Sequence, residues 1–577
     1  MPPEAPWSGQ SESLIARPDD PWITPSEKDG LTTSPSYADT RAFLEKMAAA
    51  SPLIRLKTFG KTPLGRDLIV AIVSRDDPGK TDPKLDPNKP VLLAQAGIHS
   101  GEIDGKDAGL MLLRDIAFKG KGALLDRANL LFVPIFNVDG HERASEFNRP
   151  NQRGPVVQGW RTTAQNLNLN RDYAKLDAPE MQAMIALIRA YKPDLYMDLH
   201  VTDGMDYQYD ITYGFQGDRG GWAASPNIAA WLAGVYRRDA DAALSAMGHT
   251  PGPLIFENNP RKPELGLVND GFSPRFSQTY GDMIHMASLL VENHSLKNFR
   301  RRVLGTYVLL EQSLKTLARD GRALREAAAK DRALRPQQLP VAWITPEKQQ
   351  STVDFLPMAF ERWTSPASGT EEIRWLGRAA PPAKIPLTEV IASQTADRPK
   401  AYWVPPTKPD VIARLKWHGI EMETLSAPRT VTVDMLRLPD AKPASQPFEG
   451  RFGIDPGKPV RETRNVDFLP GTMRVPTDQP LGNLAMVLLE PQSEDSFFAW
   501  GFFPEILQRT EYAEGYVMAP LAERMMAADA KLKAEFEAKL AAEPDFAKNP
   551  SARLSWFYAR TPYYDDAYLL YPVGIEQ

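Results

Sequence analysis

Four short, nearly uninterrupted apolar runs constrain this chain most: Lys89–Ala96, Asn129–Phe136, Pro193–Leu199 and Met286–Glu292. Each has the length of a strand, and none alternates cleanly between polar and apolar residues, so both faces of each must be covered. Helical periods over Asp104–Lys119 and Pro179–Tyr191 stand between them. Buried strands alternating with helices require a largely parallel sheet with helices packed against it. Alternation over Ile54–Phe59 and Leu68–Val73, broken by Thr62-Pro63-Leu64-Gly65-Arg66, adds a hairpin. The expected fold class is α/β, with a mixed, largely parallel sheet flanked by helices.

At 577 residues the chain is longer than one core normally supports. Residues 1–35 are rich in Pro, Ser, Asp and Gly and read as an extended N-terminal arm. The α/β domain is expected over 36–334, closing on a helix of mixed charge at about Gly305–Leu334. The Pro-rich stretch 335–346 reads as a linker. Beyond it, Ala401–Val404, Thr430–Leu436, Gly471–Val475 and Leu484–Leu489 look like strands among prolines and glycines. A mostly β accessory domain over 347–577 follows, with a helical region at Pro504–Ala542 and an aromatic tail at Tyr558–Tyr571. Prolines number 52, roughly twice the usual share, so irregular connections are expected.

Several classes of function are excluded early. A net charge of −5 gives no support for binding nucleic acid. The absence of cysteine removes disulfides, thiolate metal sites and cysteine nucleophiles. Any metal must therefore be held by His, Asp or Glu, and there are seven histidines. No stretch offers the ~20 apolar residues that a membrane-spanning helix needs. Met1–Trp7 has neither a basic nor an apolar leader region. The expected compartment is periplasmic or extracellular, with a signal peptide absent from this chain; the cytoplasm is the alternative.

In sheets of this kind, chemistry gathers at the carboxyl ends of the strands. His99 and Glu102, Asn137–Asp139, His200 and Glu292 all lie at or just past such ends. A histidine and a glutamate three residues apart are, by spacing alone, more often a buried imidazole beside a helix-capping carboxylate. Here they follow a buried strand and stand among Gly97, Gly101 and a distant His200. Two close ligands and a third far along the chain are the pattern of a catalytic zinc site with one position open. Glu292, ending an apolar strand, reads equally as a cap or a catalytic group. Arg171 alone reads as a surface ion pair. Val201–Asp210 carries three aspartates, either a solvated loop or an acidic pocket wall for a cationic side chain.

Taken in order, Gly97–Glu102, Phe136–Gly140, Asn168–Tyr173, His200 and Glu292 resemble the zinc carboxypeptidases of the M14 metallopeptidase family, over roughly residues 36–315. The resemblance implies one Zn²⁺ per catalytic site, held by His99, Glu102 and His200. It implies that Asp139 braces the first histidine, although Val138 replaces the family's proline. Glu292 would be the general base, and Asn170 with Arg171 would hold the substrate's terminal carboxylate. Arg153, with Arg149 close behind, is expected to stabilise the oxyanion. Tyr280 is the candidate for the family's mobile tyrosine. The implied reaction is hydrolysis of the C-terminal peptide bond of a peptide with a free C-terminus. The alternatives are a zinc amidase, a deacylase or a cell-wall stem-peptide peptidase. A zinc- or peptide-binding protein without turnover is a further rival, against which Glu292 argues, because binding needs no general base.

Overall fold

Ten strands and eight helices build the first part of the chain in a computed structural model that describes residues 1–78, 80, 82–269, 273–348 and 351–577. The strands are β1 (Ile54–Lys61), β2 (Asp67–Val73), β3 (Val91–Ala96), β4 (Asn129–Val133), β5 (Leu195–Thr202), β6 (Ile211–Gly214), β7 (Pro251–Pro253), β8 (Phe256–Glu257), β9 (Leu267–Asn269) and β10 (Ala287–His294). The helices are α1 (Tyr37–Ala50), α2 (Asp104–Phe118), α3 (Val138–Glu142), α4 (Pro179–Tyr191), α5 (Pro226–Trp231), α6 (Arg237–Ala246), α7 (Ser277–Met283) and α8 (Phe299–Arg332).

The main sheet has the order β1-β2-β4-β3-β5-β10-β6-β7. Its middle four strands run parallel; β1 and β2 add antiparallel pairings on one side, and on the other β6 runs antiparallel to β10 and parallel to β7. The four apolar runs supply this parallel centre. Alternate residues of each run serve opposite faces. Leu92, Ala94, Leu130 and Phe132 pack with α1, α2 and α8, whereas Val91, Leu93, Leu131 and Val133 pack with α4 and α7. The arm over 1–35 is tied down: Arg114 on α2 pairs with buried Glu27 at 2.6 Å.

The remaining strands are β11 (Gln338–Ile344), β12 (Ser351–Phe355), β13 (Met358–Thr364), β14 (Glu371–Ala379), β15 (Ala383–Glu389), β16 (Ile391–Asp397), β17 (Ala401–Val404), β18 (Glu423–Thr424), β19 (Arg429–Arg437), β20 (Lys442–Pro443), β21 (Ile454–Asp455), β22 (Val460–Phe468), β23 (Met473–Pro476) and β24 (Leu570–Glu576). Six of them form a sheet in the order β18-β23-β17-β24-β19-β22. Helices at 515–528, 530–542 and 550–558 share a small core of their own. Among the described residues, no helix is long and apolar enough to cross a membrane.

Three expectations are corrected here. The stretch read as a linker, 335–346, contains β11, which pairs with β16. Leu484–Leu489 is not a strand but part of a helix, Gly482–Leu489, in which every residue is buried. A segment apolar on all sides carries no period, so pattern alone cannot separate the two conformations. The two halves of the chain are also not separate in space. β9 pairs in parallel with β15 in a four-stranded sheet ordered β12-β15-β9-β8. The core on the α4 face likewise runs without a break into Tyr402, Leu484–Leu489, Phe497 and Phe503.

Candidate active site

Three neighbouring strands of the parallel centre, β3, β5 and β10, deliver the site at their carboxyl ends. After β3 the backbone turns at Gly97, whose φ of +68° is left-handed and strained for any residue with a side chain. His99 O accepts the N–H of Glu102 at 2.9 Å, which closes the loop before α2 begins. At Gly101 a Cβ would lie 2.6 Å from Arg149 Cγ, so only glycine lets that arginine lie across the loop. His200 comes from β5. Glu292 on β10 stands directly opposite it in the parallel register.

Glu102 is the hub. Its Oε2 lies 3.1 Å from His99 Nδ1 and 3.0 Å from His200 Nδ1, and it accepts the Val201 N–H at 3.1 Å. Its Oε1 faces Arg149 Nη2 at 2.8 Å and Arg161 Nη1 at 3.3 Å. Among the described residues, His99, Glu102 and His200 form the one group of three such side chains that could share a metal ion, with ligand atoms all within 4.8 Å of one another.

The outer nitrogens decide what this cluster suits. His99 Nε2 lies 2.9 Å from Asn168 Oδ1, and His200 Nε2 lies 2.8 Å from Asp198 Oδ2. Both partners are acceptors, so in the neutral rings each Nε2 carries the proton and each Nδ1 turns a lone pair toward a carboxylate oxygen. A lone pair facing an anion is satisfied by a cation between them, a proton or a metal ion. Two imidazoles and one carboxylate with an open side are a donor set that suits zinc.

The electrostatics agree with a site built for positive charge. Burial opposes charge on His200, but Asp198, Glu102 and Glu292 outweigh it and hold the imidazole well above its ordinary range. Burial also works against the Glu102 carboxylate, yet His99 and Arg149 hold it well below the usual carboxylate range. Glu292 behaves oppositely. Burial pushes it up to about 8, against the pull of His200 and with added repulsion from Glu102 and Asp198. Its Oε2 meets no hydrogen-bond partner. A buried carboxyl group with a raised pKa and an unsatisfied oxygen is a candidate for proton-transfer chemistry.

His99, Glu102 and Glu292 line a cavity of ≈ 330 Å³ together with Arg149, Arg161, Asn170, Arg171, Asp203, Phe256, Phe276 and Gln278. Asn170 is held by the Ser277 N–H, which donates to its Oδ1 at 3.3 Å. The Arg171 guanidinium lies over the Phe276 ring, 4.4 Å from its centroid.

Three expectations fare differently, and one further residue joins the site. Arg153 does not line this cavity; its guanidinium donates to Leu296 O at 3.0 Å and to Pro2 O. Arg161, which sequence reasoning passed over, does line it, beside Arg149. Its only sequence signal is its place between Asn137–Gly140 and Asn168–Tyr173, which many residues share. Asp139 does not touch His99. It binds Thr62 at 2.9 Å and Arg66 at 2.6 Å in the β1–β2 turn, while Asn168 takes the place beside the histidine. Tyr280 is buried in α7, bonded to His418 at 3.0 Å, and faces a different cavity.

Of the three aspartates after His200, only Asp203 reaches the cavity. Asp206 is taken by His294 and Lys297, and Asp210 by His249 and Arg301. The aromatic stretch 496–503 is core; Phe497, Phe498 and Phe503 are fully buried away from the cavity.

Residues 40–234 match the family model described as zinc carboxypeptidase, peptidase M14. The chain is 24% identical over 429 residues to carboxypeptidase 2 of Trichophyton tonsurans, covering 71% of this chain and 73% of that protein. Carboxypeptidase 2 of Trichophyton rubrum is 22% identical, with 82% and 85% covered. Among solved structures, carboxypeptidase A of Helicoverpa armigera is 18% identical and covers 51% of this chain and 74% of its own, with a TM-score of 0.35. A metallo-carboxypeptidase of Pseudomonas aeruginosa is 20% identical, with 49% and 69% covered and the same TM-score.

Proposed function

We propose that this chain, which carries a zinc carboxypeptidase domain of the M14 metallopeptidase family, removes single residues from the free C-terminus of peptides. The observation that carries the reading is that one cavity is lined by His99 and Glu102 of the His99–Glu102–His200 cluster, by Glu292 and by the Asn170–Arg171 pair. His99 Nδ1, Glu102 and His200 Nδ1 would hold one Zn²⁺. Zinc bound there would supply Lewis acidity to the scissile carbonyl and lower the pKa of the attacking water.

The chain's own residues do the rest. Arg171, seated over the Phe276 ring, takes the terminal carboxylate in a planar fork while Asn170 donates beside it. That grip places the last peptide bond, and no other, next to Glu292. Glu292 takes a proton from the attacking water and returns it to the leaving amine. Arg149 and Arg161 stand next to Glu102 and stabilise charge as it develops on the carbonyl oxygen, a contribution of about 3 kcal/mol for a well-placed donor.

The test compares a peptide with its C-terminally amidated form. The free acid is cleaved and the amide is cleaved at least about a hundredfold more slowly, through loss of an ionic contact worth roughly 3 kcal/mol. Equal rates would point instead to an amidase or deacylase.

A further inference from the structure

Far along the chain, β20 and β21 form a short hairpin whose tip is Phe448-Glu449-Gly450-Arg451. Phe448 and Arg451 exchange two backbone hydrogen bonds, at 2.8 and 3.1 Å. Both central residues have positive φ, 48° at Glu449 and 80° at Gly450. Asn-Gly and Gly-Gly meet that geometry easily, whereas a glutamate in the left-handed region is strained by its own side chain. A strained glutamate in a tight turn calls for a reason.

The reason lies in what the tip touches. Glu449 Oε2 accepts the Asn168 N–H at 2.8 Å. A Cβ on Gly450 would lie 2.8 Å from Leu167 Cδ2. Arg451 grips Asp177 through two hydrogen bonds, at 2.6 and 2.7 Å, and lies 3.6 Å from the Phe502 ring centroid. Three successive residues of the C-terminal half thus press on the segment 167–177. Asn168, at the centre of that contact, also has its side chain committed. Its Oδ1 accepts from His99 Nε2 at 2.9 Å and from the Asn170 N–H at 3.0 Å.

We infer that Glu449 is a positioning residue through which the C-terminal half completes the metal centre. It anchors the backbone of Asn168, whose side chain fixes His99 with its Nδ1 lone pair inward and caps the turn presenting Asn170 and Arg171. This rests on the reading of His99 as a metal ligand. Partners one step behind a ligand typically change metal affinity by about 10–100-fold. Glu449 acts through Asn168, so the lower end applies.

The decisive variant is Glu449→Asn in the full chain. Asparagine tolerates the left-handed conformation better than glutamate but is too short to reach Asn168. Its melting temperature should match or exceed that of the parent, while its zinc affinity, measured by competition with a chelator, falls about tenfold. Glu449→Gln keeps an acceptor of the same reach and should stay within about threefold of the parent. A Glu449→Asn protein that melts normally and holds zinc as tightly as the parent overturns the inference. His99→Ala, assayed alongside, keeps the two claims apart. If it loses zinc while Glu449→Asn does not, the ligand reading stands and the relay falls. If His99→Ala itself keeps zinc, the ligand reading fails.

Discussion

β5 and β16 are strands of similar length in opposite circumstances. Seven of the eight residues of β5 are buried, whereas six of the seven residues of β16 are exposed. In β5 each side chain meets neighbours on both faces, so the position of His200 is over-determined by packing. In β16 the backbone is paired but the side chains face water, and little outside the strand depends on them. The C-terminal half therefore bears on the site through its buried contacts and not through exposed strands such as β16. Leu387 of β15, opposite Leu267 of β9, is one of them. β9 in turn pairs with β8, which carries Phe256 into the cavity wall.

The comparison can be broken most forcefully inside the parallel centre. Glu292→Gln should lower kcat by about 10²–10⁴-fold with the zinc content unchanged, as read by metal analysis beside steady-state kinetics. An unaltered rate would remove Glu292 from the chemistry. Next in size, Arg161→Ala should cost about 10²–10³-fold in kcat. Arg153→Ala, which alters contacts to Leu296 and Pro2 outside the cavity, should leave kcat within about threefold. A reversal of that pair would restore Arg153 as the oxyanion donor.

Stability measurements sharpen the contrast between the two strand environments. Leu387→Ala deletes a buried side chain at the β9–β15 pairing and should destabilise the protein by about 2–4 kcal/mol in denaturant unfolding. Thr395→Ala on exposed β16 should stay within about 0.5 kcal/mol. Equal effects would mean that β15 is no better integrated than β16.

The smallest effect concerns pH. Burial pulls His418 down to about 4, and the neutral ring bridges Ala174 O and Tyr280. Its contribution is intact above the unfolded value near 6.5 and is lost as pH falls from there toward 4. His418→Gln should flatten the stability profile across that window; an unchanged slope would assign the acid sensitivity to other groups.

The sheet and the grouping of His99, Glu102 and His200 were legible because apolar runs end next to these residues: Ala96 precedes the His99 loop, Leu199 precedes His200 and Val291 precedes Glu292. Burial on both faces leaves a signal in every residue of such a strand. The bracing contacts were not legible. Whether Asp139 or Asn168 meets His99, and whether Arg153 or Arg161 enters the cavity, depends on the path of the loops between them. The helix at 482–489 was missed for a different reason, since a uniformly apolar segment has no period to read. Glu449 carries no sequence signal either, because its meaning comes from a contact nearly three hundred positions away.

The pairing of β9 with β15 also bears on how the protein is made. At about 5–20 residues per second, a ribosome that has released position 267 needs on the order of ten seconds more to release position 387. Until then the strand that steadies the Phe256 wall does not exist, and the hairpin bearing Glu449 comes later still. A nascent chain can thus assemble its central sheet well before its cleft is finished. Hydrolytic competence, on this ordering, is withheld until most of the polypeptide has left the ribosome.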